Sequence, residues 1–337
     1  MHVTACAGRS QSTDEMLSYI VRRVLYSVPV LFLSSFLSFI FVSLSGDPAS
    51  QIRQNPNFSV VTLHHLQQRY HLDQPVVVRY WYWLQDIFTH RLGTSLNTLQ
   101  PVWPDITRTL GHTTQLIVLS ESLALVVGMA VGVYAAVRQY SVFDYITTSF
   151  SFLGYAMPTF WLALLLQVLF VDIYVRWHVR IFYTSGLNAH LDGSAWSADR
   201  LQHIALPVAT LCIVSLALYS RYMRAAMLDV INNEHVRTAR AKGLSERRVI
   251  ATHVFRNALI PIVTVAALNI GGLLGGAIVT ETVFSLDGIG FYFVTKLANL
   301  DTYAVMAYLM VTAVIVIVFN LIADIAYGLL DPRVRDS

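Results

Sequence analysis

The segment Glu234-His-Val-Arg-Thr-Ala-Arg-Ala-Lys-Gly-Leu244 interleaves His235, Arg237, Arg240 and Lys242 with the small residues Ala239, Ala241 and Gly243. Side chains of this type recognise acidic protein surfaces or lipid phosphates; they do not make or break bonds. On a helix, Val236, Ala239 and Gly243 fall on one face, at spacings of three and four. That face is narrow and small, and can lie flush in a groove of another protein. Gly243 suits a helix terminus, where a left-handed backbone is needed. Ser245 then suits the cap of a following helix, with Glu246 near its positive dipole end. The expected geometry is helix, sharp turn, helix. Spacing alone leaves a second reading equally open, an ordinary basic loop beside a membrane.

Two carboxylates, Glu121 and Glu281, interrupt strongly apolar runs. Acids at membrane depth are costly and usually face a bundle interior or water. Each could contact a substrate amine or hold a gate by a hydrogen bond; for Glu281, near the outer end of its run, a helix-end carboxylate at the interface is the favoured reading. Asn269 is a further pore-facing polar group. Pro158 removes a backbone hydrogen bond and is expected to kink its helix. Gly271, Gly272, Gly275 and Gly276, and Gly128 with Gly132, permit close helix approach. Packing is the simpler reading, although on a moving helix Gly272 and Gly276 would also shape a pore. The chain has no Gly-x-x-x-x-Gly-Lys-Ser/Thr phosphate cradle, no Cys-x-x-Cys, no His-Glu-x-x-His and no Gly-x-Ser-x-Gly. No catalytic or metal-binding residue is therefore assigned; His64-His65 is only a weak metal pair. Cys6 and Cys212 are far apart and predict no disulfide.

The elements that must position these residues are membrane helices. The chain is 55% hydrophobic and 13% charged, against about 25% charged in soluble domains, and its mean hydropathy is +0.55. A net charge of +3 is too small to argue for nucleic acid. Runs long enough to cross a bilayer occur at 24–44, 113–137, 146–173, 205–226, 261–284 and 304–329, predicting an all-α membrane protein of six transmembrane helices. Arg22 and Arg23, Arg138, the Arg/Lys cluster between the fourth and fifth runs, and Arg333 with Arg335 fall on one side if the spans alternate. By the positive-inside tendency, both termini are cytoplasmic. Residues 1–15 are polar and read as a disordered cytoplasmic extension, with the first helix in 16–45. Residues 46–112, opened by Gly46-Asp47-Pro48, read as a small external subdomain. Its Tyr80, Trp81, Tyr82, Trp83 and Trp103 suit a membrane–water interface or a soluble mini-core. The remainder, 113–337, holds helices two to six, with the basic segment between the fourth and fifth.

The basic segment resembles the cytoplasmic signature of permease subunits of bacterial ABC importers, in the dipeptide/oligopeptide subfamily, where a Tyr-Val-Arg-Thr-Ala-Arg-Ala-Lys-Gly-Leu run recurs; His235 stands where the Tyr usually does. Ala156-Met-Pro-Thr-Phe-Trp161, Arg256-Asn-Ala-Leu-Ile-Pro261, Glu281-Thr-Val-Phe284, Asp301-Thr-Tyr303 and Leu330-Asp-Pro-Arg333 extend the resemblance to most of the chain. It departs at Asp287-Gly288, where the family has Pro-Gly, and at His90-Arg-Leu-Gly-Thr-Ser95, where it has Gly-Asp-Leu-Gly-x-Ser. The resemblance implies that Glu234–Leu244 is a coupling helix seated in a partner ATPase. It implies a second homologous permease, one or two ATPases holding ATP and Mg²⁺, and an extracytoplasmic peptide-binding protein in a bacterial plasma membrane. The chain itself would be non-catalytic and without cofactor. Related importers of nickel or glutathione share the motifs. A self-contained channel or ion-coupled secondary transporter is the rival of another class; it would need intramembrane coupling charges and no docking segment.

Overall fold

The structure, a computed structural model, describes residues 4–44, 67–68, 71–89, 93–95, 97–187, 196–274 and 277–330; side chains are described from Val21 to Ile325 within these ranges, that of Phe88 excepted. The principal elements are α1 (Thr4–Leu44), α2 (Val76–Thr89), α3 (Val102–Val137), α4 (Val142–Ala156), α5 (Thr159–Trp177), α6 (Ala198–Ile231), α7 (Glu234–Ala241), α8 (Glu246–Leu274), α9 (Ile278–Val283), α10 (Ile289–Ala298) and α11 (Thr302–Leu330). Among the described residues there is no β-strand, only an isolated bridge between Thr94 and Pro101. Six helices are long and apolar enough to cross a membrane: Val21–Leu44 within α1, then α3, α5, α6, α8, and Thr302–Ile325 within α11.

The six spans match the expected number, but their limits differ for identifiable reasons. Helical backbone reaches back to Thr4, through the residues read as a disordered extension. The second span begins at Val102 rather than near 113, because Val102, Ile106 and Thr109 recur at helical spacing and are buried. Pro104 sits in the first turn, where its missing N–H costs nothing. At 36 residues, α3 is about 54 Å long at ~1.5 Å per residue, longer than a bilayer core. The third run does not kink at Pro158 but stops there. Met157 (ψ 125°) and Pro158 (ψ 132°) are both extended, separating α4 from α5, as expected when proline bars the preceding residue from helical geometry. The fifth span starts upstream of Pro261, passes through a π-helical stretch at Val249–Phe255, and ends at Leu274. Glu281 therefore belongs to a separate short helix, α9.

The bundle is drawn together where glycine lets backbones touch. A β-carbon on Gly132 would lie 2.6 Å from the Ser220 carbonyl oxygen and one on Gly128 3.0 Å from the β-carbon of Tyr219, joining α3 to α6. One on Gly271 would lie 2.6 Å from the β-carbon of Phe319, joining α8 to α11. Larger residues there would force the helices apart. The ion pair Arg23–Asp324, 2.8 Å, ties α1 to α11.

The described part of the region after the first span divides its aromatics between two roles. Tyr80 and Trp83 are buried against Phe39, and the Tyr80 hydroxyl bonds Ser35 Oγ at 2.8 Å. Trp81, Tyr82 and Trp103 remain exposed. Further along, Gly93 (φ 86°) opens a turn in which Ser95 Oγ donates to Asp301 Oδ2 at 2.5 Å and Asn97 donates to the Asn299 carbonyl at 2.9 Å. This turn clips the region after the first span to the loop before the last.

Candidate functional site

The predicted helix, turn and helix are present. Asn233 is the N-cap of α7, Gly243 takes the left-handed conformation at φ 78°, and Ser245 is the N-cap of α8, although its side chain makes no capping bond. Gly243 is needed for its backbone, not its size: a β-carbon there would meet nothing within 4 Å. Arg240 and Glu246 clamp the turn through paired bonds of 2.8 and 3.1 Å. The paired geometry suits a charged guanidinium and a charged carboxylate.

The facing of α7 is the reverse of the expected one. Val236 (0% exposed) and Ala239 (5%) do not offer a free small stripe. They pack into the chain's own core with Ala136, Met223, Met227, Val249, Val254 and Ala258, from α3, α6 and α8. Sequence reasoning missed this because the apolar partners lie on three other elements. The surface left outward is Glu234, His235, Arg237, Thr238, Ala241, Lys242 and Gly243, with Leu244 partly covered. Arg240 is engaged by Glu246 rather than free for a partner, and His235 lies 3.3 Å from the Asn257 amide.

The intramembrane residues fall into separate places. Glu121 (2% exposed) sits among α3, α6 and α8. Its carboxylate accepts from Ser215 Oγ at 2.5 Å and from the Tyr219 hydroxyl. Asn269 completes the group, its amide donating to Glu121 at 3.2 Å and to Tyr219 at 3.1 Å. Two of the residues singled out as pore candidates, Glu121 and Asn269, thus meet in one polar knot. Glu281 is fully buried, not an interfacial helix-end acid. It accepts from Thr113 Oγ1 at 2.5 Å and from the backbone N–H groups of Gly290 and Phe291 at 2.7 and 3.0 Å, so it caps α10. Gly288 leaves the space it occupies: a β-carbon there would come within 2.3 Å of the carboxyl carbon. Gly272 is exposed with nothing within 4 Å of a notional β-carbon, unlike Gly271. Pro158 caps α5. Gly275, Gly276 and the His64-His65 pair lie outside the described residues, among which no metal-binding group occurs.

One polar contact carried no sequence signal. Asp144, in the first turn of α4, receives both arms of the Arg224 guanidinium at 2.6 and 2.8 Å and the Tyr140 N–H at 3.0 Å. The Arg224 hydrogen bonds hold this carboxyl below its ordinary range. The partners are eighty residues apart, too far for local pattern to relate them.

A long-helix bundle bound by glycine contacts, with a short helix packed on it between its fourth and fifth spans, defines a polytopic membrane protein. Residues 128–336 match the family of binding-protein-dependent transport system inner membrane components, and residues 16–117 match the N-terminal family of the same components. The chain belongs to this family; it is a non-catalytic permease subunit of an ABC transport system and a multi-pass protein of the bacterial inner membrane. It is 37% identical to the oligopeptide transport system permease protein AppB of Bacillus subtilis over 95% of this chain and 100% of the relative. It is 35% identical to the oligopeptide transport system permease protein OppB of Mycobacterium tuberculosis, over 96% and 100%. It is 33% identical to the dipeptide transport system permease protein DppB of Escherichia coli, over 95% and 99%. Among solved structures it shares its fold with a chain of the inward-facing MetNI methionine ABC transporter, with a TM-score of 0.53 and 15% identity over 67% of this chain and 96% of that one.

Proposed function

We propose that this chain is one of two permease subunits of an ATP-driven importer of di- or oligopeptides. In this reading both termini and α7 are cytoplasmic. The outward face of α7 seats in an ATPase subunit that binds ATP and Mg²⁺, and an extracytoplasmic binding protein delivers the peptide from the other side. The single observation that carries the coupling reading is the two-sidedness of α7. Its inner face is fixed in the core shared by α3, α6 and α8, while Arg237 and Lys242 face out without an ion pair among the described residues. Force applied to α7 would pass directly into α8, because the Arg240–Glu246 clamp bridges the turn between them. A short, rigidly based lever is what turns ATPase closure into a helix movement in the membrane.

The peptide assignment is supported by the names of relatives that align over nearly their whole length. Nickel or glutathione remains the alternative cargo within the same machine. An ion-coupled secondary transporter is disfavoured by Glu121, whose carboxylate is taken up by Ser215, Tyr219 and Asn269.

Cysteine cross-linking tests the coupling. With the native cysteines removed, Thr238→Cys and Ala241→Cys should cross-link to a cysteine in the ATPase cleft of the assembled complex, and Ala239→Cys should not. Complexes that transport normally while neither outward position cross-links would remove α7 from the ATPase interface. Competition assays address the cargo: unlabelled dipeptides should suppress labelled peptide uptake, while Ni²⁺ and glutathione should not.

A further inference from the structure

In the first half of α8, the residues buried in the core beneath α7 are Val249, Val254, Ala258 and Ile262. They follow one another at spacings of five, four and four. A spacing of four keeps residues on one face of an α-helix. A spacing of five does not, because five steps of ~100° leave two residues about 140° apart around the axis. The π-helical stretch Val249–Phe255 resolves the mismatch. Its pairing of each carbonyl with the fifth N–H onward brings Val249 into line with Val254, and both are 0% exposed. The packing of the core therefore requires the wider turn.

The sequence carries an alternative beside it. Ile250, Val254, Ala258 and Ile262 are spaced four, four and four, an unbroken α-helical stripe. Ile250 already lies partly buried against the same core, and it differs from Val249 by one methylene. A change from π to α pairing would take Val249 off the inner face and bring Ile250 onto it, with Val254 and the residues after it in place. The part of α8 before the stretch would then turn by one residue, ~100°, relative to the part after it. That part carries the Arg240–Glu246 clamp to α7, and Val236 and Ala239 of α7 pack in the same cluster as Val249.

The backbone is prepared for such a change. Where i+5 pairing returns to i+4 pairing, one carbonyl is left without a backbone N–H, and a side chain or water must serve it. Near the end of the stretch, the Asn257 side-chain amide donates to the His253 carbonyl at 2.8 Å. Pro261, which has no N–H, removes another backbone bond shortly after. The hydrogen-bond ladder of α8 is thus interrupted twice between the seat of α7 and the rest of the span.

We infer that the π-helical stretch is a two-position joint in the coupling lever: Val249 and Ile250 are alternative inner-face residues, and movement of α7 steps α8 between a π and an α register. The inference rests on the importer reading above and deepens it, by naming where displacement of α7 becomes a discrete change in a membrane helix. A close-packed core does not deform smoothly. Exchanging one apolar side chain for its neighbour gives two defined states, where bending would give a continuum. Because the exchanged side chains are nearly alike, a partner that binds one state better can shift the balance between them.

The test uses the complete complex in liposomes with loaded binding protein, and locks the stretch in two ways. Deleting the exposed Thr252 leaves Val249 at α-helical spacing from the valine that was fifth after it, so the present inner face survives on a regular helix. This variant should assemble and melt like the wild type, yet lose peptide transport and the stimulation of ATP hydrolysis by loaded binding protein. Ala251→His combined with Arg256→His puts two imidazoles five residues apart at exposed positions. Only the π turn brings them together around one Zn²⁺, which needs Zn–N distances of about 2.0–2.1 Å. The pair should transport normally without metal, stop in Zn²⁺ relative to the wild type in the same Zn²⁺, and recover when a chelator is added. A deletion variant that transports like the wild type, or that no longer assembles, overturns the inference, as does a histidine pair indifferent to Zn²⁺. Failure of the wild type to move any peptide would instead defeat the importer reading.

Discussion

Placing glutamate at Ala239 or at Ala241 separates the two faces of α7. Ala239 is 5% exposed and packs with Val236, Met223, Met227 and Val254, whereas Ala241 is exposed on the same helix. A glutamate at 239 must either bury a carboxylate with no partner or drive α7 out of its seat. Burial of an unpaired charge costs several kcal/mol, a large fraction of the ~5–15 kcal/mol that stabilises a typical fold. We expect Ala239→Glu to lower the melting temperature of the purified subunit complex and its level in the membrane. At 241 the new carboxylate stays in water, with a stability change within about 0.5 kcal/mol. Its effect should fall on the partner: ATPase stimulation by loaded binding protein should be lost while melting stays at the wild-type value. Val236→Ala provides a milder internal control, at about 2 kcal/mol for two buried methyl groups and the space they leave. The assays are fluorescence-detected thermal unfolding and substrate-stimulated ATPase activity on the same preparations. Wild-type melting for Ala239→Glu, with loss of stimulation only, would refute the inward facing of α7 and restore the view that its small stripe meets the ATPase.

Gly243→Ala should cost about 1–2 kcal/mol through its left-handed backbone alone, since nothing crowds the new methyl; Gly243→Asn should cost less, and equal melting of all three proteins would remove the argument. Glu281→Ala should destabilise by about 3 kcal/mol or more, because two N–H groups and the Thr113 hydroxyl lose their acceptor, and Gly288→Ala should do likewise by collision with the same carboxyl, both read by thermal unfolding. Asp144 has a depressed folded-state pKa, so its contribution is present above the ordinary carboxyl range and is lost as pH falls through the depressed value. The melting-temperature gap between wild type and Asp144→Asn should therefore persist at neutral pH and close only in acid below the usual carboxyl range; a gap already closed at pH 6 would contradict the charged Arg224–Asp144 pair.

Much of this architecture is written locally. Apolar runs gave the number of spans, Gly243 and Ser245 marked the turn and cap, and the position of Arg138 and the later basic cluster suggested an orientation. What the local pattern misjudged depends on partners distant in the chain. The stripe of Val236 and Ala239 is visible as small and apolar, but only the approach of Met223, Val249 and Ala258 decides that it faces inward. Glu121 and Asn269 stood out singly as polar residues in apolar surroundings; that they bond each other follows from the packing of α3, α6 and α8. Glu281 looked like a helix-end acid because the apolar run continues past Leu274. The chain in fact ends α8 there and uses the acid to cap a different helix. Hydropathy also cannot separate a kinked helix from a broken one, and the extended pair Met157–Pro158 broke it.

ATP-driven inward flux that needs the partners is the most direct measurement of an importer subunit. Liposomes holding this chain, its second permease and the ATPases, with binding protein and peptide outside and ATP inside, should accumulate peptide saturably. Liposomes holding this chain alone should hydrolyse no ATP and move none. Saturable peptide uptake by the chain alone, driven by a proton or sodium gradient, would contradict the account and make Glu121 the first residue to substitute.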